Sequence, residues 1–226
     1  MRMLVAAATA MEVEPFVAKL GNATTRGPRV NSYTSAAHQI DVLVTGVGMV
    51  ATATWCARTL AKTRYDLALN LGVCGAFDRA LAPGQTVHVV ADRIAELGAE
   101  AGDGFLTIHE LGLLGENESP FYGGELVNAS PPQNVALSRL PSVRGITVNT
   151  VHGDAQSIDD VASRFRPDVE SMEGAAFMYA CLTQGLPFAQ VRAVSNYVEP
   201  RDRSMWKLAE AIDRLARTAI SMVEQA

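Results

Sequence analysis

Two carboxylates lie three positions apart in the run Val169-Glu170-Ser171-Met172-Glu173-Gly174-Ala175-Ala176, at the mouth of an apolar stretch, Ala175 to Leu182, that reads as a buried helix. A carboxylate in a first helical turn faces unpaired backbone N–H groups and the positive end of the helix dipole, which hold it ionised. In that form it only accepts hydrogen bonds, which suits it to a vicinal diol such as the 2′- and 3′-hydroxyls of a ribose. The plainer alternative is that Glu170 and Glu173 do no more than cap the helix. A third acid, Glu12, falls on the loop that leaves the apolar run 2–8, where α/β folds collect their ligands. Taken alone, it reads as a first-turn acid of the helix that Pro15 opens and that runs to about Leu20. His152 and Asp154 raise a metal site or a proton relay. With only four histidines in the chain no ligand cluster follows, and a loop against the base of a ligand is the better reading.

The elements that must position these groups are legible in outline. Residues 2–8 form a continuous apolar run, the kind that fills a sheet covered on both faces. Residues 21–39 are turn-rich with one strand at about 30–36, and the strand Ile40 to Val44 runs into Thr45-Gly46-Val47-Gly48-Met49-Val50-Ala51 and an alanine-rich helix to about Ala61. Gly-x-Gly-x-x-Ala raises a dinucleotide turn, but such a turn wants an acid at the end of the next strand, and Asp66 opens that strand instead. The glycines read as letting the backbone approach a smaller anionic or sugar-like ligand. The strand Asp66 to Asn70 ends in a second glycine-rich loop, Leu71 to Phe77, and Gln85 to Val90 is another buried strand. From Asp92 to Asn128 there is much glycine and little periodicity, which suits a lid or an intersubunit element. Pro131-Pro132 opens a short helix, the strand Gly145 to Val151 runs into His152 to Ser157, and Phe188 to Ser195 makes the last core strand. A closing helix carries Leu208, Ile212, Leu215, Ala219 and Met222 at three- and four-residue spacing. Strands alternate with helices and no repeat or linker divides them, so residues 1–226 read as one three-layer α/β/α domain.

Composition narrows the partners. The chain has 226 residues, 48% of them hydrophobic, enough for one sizeable core. Nineteen basic against 24 acidic residues give a net charge of −5, which argues against a nucleic-acid partner. Three cysteines, Cys56, Cys74 and Cys181, with no Cys-x-x-Cys spacing give neither a disulfide framework nor a zinc clip and suit a reducing cytoplasm. The apolar start resembles a short signal peptide but stops at Met11-Glu12-Val13-Glu14, so it reads as a strand. No apolar run approaches the roughly 20 residues that span a bilayer, and a cytoplasmic protein with no membrane partner is expected.

Taken together, Ala10-Met11-Glu12-Val13, Gly46-Val47-Gly48, Asn70 to Gly75, Glu170 to Gly174 and Val191 to Asn196 resemble the nucleoside phosphorylase and nucleosidase family, in order and along nearly the whole chain. Their spacing is similar to its methylthioadenosine/S-adenosylhomocysteine nucleosidase branch. The tail Ser195 to Arg203, with Glu170 to Ala176, looks most like the members that hydrolyse futalosine. The resemblance implies a central mixed sheet and an N-glycosidase with no cofactor and no metal. It implies cleavage of futalosine to hypoxanthine and dehypoxanthine futalosine in the alternative menaquinone pathway. The partners it implies are a small-molecule nucleoside substrate and a second copy of the chain, in a homodimer or higher homo-oligomer whose neighbouring 92–125 segment closes the 5′ side. Carried over by position, Glu12 matches the glutamate that orients and deprotonates water, Glu173 the ribose-binding glutamate, and Met172 the methionine beneath the sugar. Arg192 and Ser195 match residues that support the pocket and the purine side. Gly75 is carried over as a substrate-binding residue, and Gln156 and Ser157 fall by the base, where the adenine branch is more apolar.

At Asn196 the sequence departs from the adenine-specific branch, which carries there an aspartate that protonates the base at N7. A 6-oxopurine shows acceptors at both N7 and O6, whereas adenine shows an acceptor beside a donor. An asparagine can donate to O6 and accept from a protonated N7–H, so Asn196 points to hypoxanthine. Mismatching such an edge discriminates by up to roughly 10⁴-fold. The plainer alternative is an asparagine that caps the strand end. Asparagine cannot act as a general acid, and the donor of the N7 proton is left unassigned. Three other readings stand beside this one. Phosphorolysis meets Val73 and Cys74 where a hydroxyl residue would suit phosphate, adenine nucleosidase activity meets Asn196, and a nucleoside-binding protein has no need of Glu12.

Overall fold

Strand β1 (Arg2–Ala7) sends alternate residues into two different cores, Met3, Val5 and Ala7 into one and Leu4 and Ala6 into the other. A strand buried on both faces has to lie inside a sheet with a layer on each side. The computed structural model describes residues 1–35, 38–102 and 104–226. Ala36, the last residue of the strand expected at about 30–36, and Asp103 of the 92–125 segment lie outside the described residues. After β1 come α1 (Ala10–Leu20), β2 (Thr24–Gly27), β3 (Val30–Ser35), β4 (His38–Val44), α2 (Met49–Leu60), β5 (Leu67–Ala76) and β6 (Thr86–Ile94). The middle of the chain holds β7 (Gly98–Ala101), β8 (Gly104–Thr107), β9 (Phe121–Tyr122), β10 (Glu125–Val127), α3 (Val135–Ser138) and β11 (Ser142–Thr147). The last part runs through α4 (Ala155–Phe165), β12 (Val169–Ser171), α5 (Gly174–Gln184), β13 (Phe188–Tyr197) and α6 (Leu208–Glu224).

The sheet is mixed. β1 lies between β4 and β5 with all three parallel, while β12 runs antiparallel to β5 and parallel to β11. β13 pairs in parallel with β5 and antiparallel with β6, and β11 pairs with β6, so β5, β12, β11, β6 and β13 close into a ring. On one face, Val13, Phe16 and Leu20 of α1 meet Leu215, Ala219 and Met222 of α6. On the other, Cys56 of α2 packs with Phe177 and Cys181 of α5, and Phe177 meets Phe188 edge-on at 5.9 Å. Burying one such ring stabilises the fold by about 1.5–3 kcal/mol, and α5 is apolar nearly all round. Among the described residues no helix is long and apolar enough to cross a membrane.

Four expectations need correction. The first helix begins at Ala10, capped by Thr9, which puts Glu12 in its first turn and Pro15 well inside it. The residues read as a second glycine-rich loop are strand: β5 continues through Gly72 and Gly75 to Ala76. Those glycines serve close approach rather than turning, since a Cβ at Gly72 would stand 2.0 Å from Arg192 Nη1. The 92–125 segment is not structureless, as the hairpin of β7 and β8 and the short strand β9 lie within it. β11 ends at Thr147, four residues short of the expected Val151.

Candidate active site

Glu12 joins a capping box. Its N–H donates to Thr9 Oγ1 at 3.4 Å, and its Oε2 accepts from the Thr9 N–H and hydroxyl at 2.9 Å each. The other oxygen, Oε1, reaches out of the helix and accepts the Val73 N–H of β5 at 3.2 Å. Glu12 is therefore a first-turn acid and also a buried carboxylate aimed across the ends of the central strands.

Glu173 occupies the N-cap position of α5 without bonding its own helix. The first N–H groups of that helix go to Ser171 Oγ at 3.3 Å and Thr147 Oγ1 at 2.8 Å, so neither acid of the motif serves as a cap. Glu173 Oε1 instead accepts the Gly48 N–H at 3.0 Å, at the N-terminus of α2, where Gly48 holds φ at 92° as only glycine does readily. Its Oε2 lies 3.7 Å from Arg192 Nη1. Burial pushes the Glu173 carboxyl above the usual carboxylate range, the Arg192 guanidinium and the Gly48 N–H oppose that, and the charge of Glu12 adds to it. The expectation that its own helix holds Glu173 ionised is thus replaced: what supports its charge comes from other elements. Glu170 is not at the helix mouth either but in β12, where its Oε1 accepts the His152 N–H at 3.0 Å and its Oε2 meets His152 Nδ1.

Arg192 is almost completely buried and hydrogen-bonded through two of its three nitrogens. Its Nη2 donates to Asn70 Oδ1 at 2.5 Å and its Nε to Gln190 Oε1 at 3.2 Å. Gln190 Nε2 donates to Asp92 Oδ2 and Thr147 Oγ1 to Asp92 Oδ1, each at 2.9 Å. Asp92 is fully buried, which pushes its carboxyl up to about 6. Sequence reasoning missed Asp92, Gln190 and Thr147, although the signal is present as polar residues inside otherwise apolar strands, where burial demands partners.

Two residues beyond Val73 on β5, Gly75 is the register partner of Glu170 on β12 and of Asn196 on β13. Paired residues on neighbouring strands face the same side of a sheet, so Glu170 and Asn196 flank a position with no side chain. A Cβ there would come within 2.8 Å of Val198 Cγ2 and 3.4 Å of Asn196 Nδ2. Gly75, His152, Glu170, Asn196, Tyr197 and Trp206 line one cavity. Asn196 Oδ1 accepts from Ser195 Oγ at 2.7 Å and Nδ2 donates to Tyr197 O at 2.8 Å, which leaves one N–H and one lone pair of the amide for a ligand. Ser195, whose Oγ also lies 3.1 Å from Cys74 O, sits where the register of β13 against β5 shifts, a bulge that re-aims the side chains after it.

The remaining expected residues divide. Met172 is half-buried next to Glu173 in the chain. Gln156 and Ser157 are not brought to the Asn196 cavity. Asp154 caps α4 through both of their N–H groups, Gln156 is exposed and bonds Asp160, and Ser157 bonds back to Asp154. Ser157 faces a separate groove between α4 and the β7–β8 hairpin, which His152 also touches. Among the described residues no group of three or more His, Cys, Asp or Glu is placed to hold a metal ion.

The profile of the phosphorylase superfamily matches residues 2–225. A futalosine hydrolase of Acidothermus cellulolyticus is 35% identical over 181 residues, covering 77% of this chain and 71% of that one. Among solved structures, an S-adenosylhomocysteine nucleosidase of Streptococcus pyogenes in complex with 5-methylthiotubericidin superposes with a TM-score of 0.83 at 21% identity, over 99% of this chain and 96% of the other. The futalosine hydrolase of Helicobacter pylori strain 26695 gives 0.82 at 16% identity, over 100% and 98%. At such identities the two structural likenesses speak for the fold alone.

Proposed function

The chain belongs to the phosphorylase superfamily and, within it, to the futalosine hydrolases, and from that premise we propose that it hydrolyses the N-glycosidic bond of futalosine, releasing hypoxanthine and dehypoxanthine futalosine. The observation that carries the reading is the convergence of Glu12 and Glu173 on Arg192 beside Gly72, three residues along β5 from the bare backbone of Gly75 that Asn196 flanks. Bond breaking leaves positive charge on the ribosyl centre. Glu173 grips the sugar diol and offsets that charge, while Met172 lies against the sugar. Glu12, with Oε2 committed to Thr9, orients and deprotonates the attacking water through Oε1. Arg192 and Ser195 act by position, the first holding Glu173 and the second holding the Asn196 amide so that its free N–H meets the purine O6.

Water is favoured over phosphate as the nucleophile. An anion entering here would meet two buried carboxylates, the Val73 N–H is taken by Glu12, and Arg192 is spent on Asn70 and Gln190. The proposal places the chain in the futalosine route to menaquinone and in the cytoplasm, in keeping with three free, buried cysteines. It also includes a homodimer or higher homo-oligomer, favoured by the exposed apolar side chains of Val50 on α2, Tyr179 on α5 and Tyr122 beside Phe121.

The test is base release, followed by chromatography, from futalosine, inosine and methylthioadenosine, each with and without phosphate. Hypoxanthine from futalosine, independent of phosphate, is the expected result. Adenine from methylthioadenosine, a phosphate requirement, or silence on all three would replace the reading with an adenine nucleosidase, a phosphorylase or a binding protein respectively.

A further inference from the structure

The cavity that Asn196 lines also holds His152 and Glu170, an ionisable pair that the mechanism above does not use. We propose that His152, held by Glu170, is the acid that protonates the leaving purine at N7; the assignment rests on the nucleosidase reading of the preceding subsection. Asn196 can steady the purine edge but has no proton to give up, so cleavage needs a donor elsewhere along the base. His152 lines the same cavity as Asn196 and Gly75. Its ring is anchored from behind, as Nδ1 and the backbone N–H both go to the carboxylate of Glu170, which is 4% exposed. A carboxylate on one ring nitrogen fixes the tautomer and orientation of an imidazole and leaves the other nitrogen to do the chemistry. Nε2 has no protein partner among the described residues, and the ring keeps some access to solvent from which to regain a proton.

The register of the strands shows why one base can reach both residues. Glu170 and Asn196 are the partners of Gly75 on either side, so they stand roughly 10 Å apart, twice the strand spacing, across a floor without a side chain. O6 and N7 lie side by side on one edge of the purine, so a base seated beside Gly75 with that edge turned to Asn196 presents N7 to the same cavity that His152 lines. In the step itself, the C1′–N9 bond breaks and its electron pair passes into the purine. The proton on His152 Nε2 moves to N7, so hypoxanthine departs as the neutral N7–H tautomer. Water forms the new bond at C1′ and gives a proton to Glu12. Return of one proton from Glu12 to solvent and uptake of one by His152 restore the enzyme.

The experiment is turnover of futalosine by His152→Ala, with Glu170→Gln as the milder second variant and thermal melting as the check that both fold. His152→Ala should lose about 10²- to 10³-fold in kcat with KM within about threefold, and Glu170→Gln should lose less in the same sense. Added imidazole, which fills the vacated space and carries a proton, should restore at least about tenfold to His152→Ala. Pyrazole, of the same shape but far too weak a base to carry a proton near neutral pH, should restore nothing. Undiminished kcat in His152→Ala, a loss that imidazole does not relieve, or equal rescue by both rings each overturns the assignment while leaving the hydrolase in place. A wild-type protein silent on futalosine overturns the nucleosidase reading itself and this assignment with it.

Discussion

The proposed sugar-side and base-side groups are held in opposite ways. At the sugar end the fixing bonds span great lengths of chain: Val73 to Glu12 across 61 residues, Arg192 to Asn70 across 122, Gly48 to Glu173 across 125. At the base end the two bonds of the Asn196 amide go to its neighbours in sequence, Ser195 and Tyr197, and the 199–205 segment that follows is largely exposed. Long-range bonds among buried groups exist only when the whole fold is assembled, so the groups proposed to do the chemistry are set before substrate arrives. Bonds between neighbours can be remade without disturbing the sheet. The contrast separates a sugar side fixed by the assembled fold from an Asn196 amide that can change its choice of base.

The largest effect expected from this contrast is at Glu12. Glu12→Gln keeps the size and can still accept from Thr9, but it cannot take a proton from water. Hypoxanthine release should fall by at least about 10³-fold while futalosine affinity, measured by calorimetry, stays within about tenfold. Turnover that survives the change would remove Glu12 from the water-activating role.

A sharper comparison makes the same change at both ends. In Gly72→Ala the new methyl meets Arg192 Nη1 at 2.0 Å and Glu12 Oε1 at 3.0 Å, groups pinned by their other bonds. That substitution should cost about 3 kcal/mol and abolish most activity. In Gly75→Ala the first contact is Val198 Cγ2 at 2.8 Å, a side-chain end that can turn away. Stability should change by less than about 1 kcal/mol, and the damage should appear as a KM raised about tenfold, because the methyl occupies the floor on which the base rests. Equal melting losses in the two variants would break the distinction. A smaller effect is expected from Asn196→Asp, which should shift preference toward 6-aminopurine nucleosides by about tenfold to a hundredfold without lowering the melting temperature appreciably. An unchanged substrate ranking would take the specificity role from Asn196.

The same contrast explains what could be read from the sequence. Apolar runs and helix-spaced stripes gave away β1 and α6, because burial leaves a periodic mark on one short stretch. Glu12, Glu173 and Arg192 were singled out through motifs in order, yet their partners were not, since nothing near Glu173 announces that Gly48 will bond it. Gly72 and Gly75 read as a loop because glycine usually turns chains. Here they clear room for Arg192 and Asn196, which arrive from more than a hundred positions away. Gln156 and Ser157 were placed by correspondence alone, and the cap at Asp154 carries them onto a helix facing another groove. His152 drew notice, but its partner Glu170 is 18 residues on and becomes visible only when β12 is paired.

The smallest prediction tests the rear of the sugar end. Asp92 is fully buried and accepts from Thr147 and Gln190, and burial raises its pKa from the ordinary 3.8 to about 6. Between those two values the folded chain binds a proton that the unfolded chain has released, so this group makes the fold less stable as pH rises from about 4 to about 6. Above pH 6 Asp92 is ionised in both states and its cost is constant, at most about 3 kcal/mol for a shift of this size. Asp92→Asn removes the titration while keeping an amide whose oxygen accepts from Gln190 and whose N–H donates to the Thr147 hydroxyl. Measured by urea unfolding at pH 4, 5, 6 and 7, the stability of the variant relative to wild type should climb from pH 4 to 6 and then level off. A difference that stays flat would mean that Asp92 carries no raised pKa, and that the network behind Arg192 is held without the strain of a buried charge.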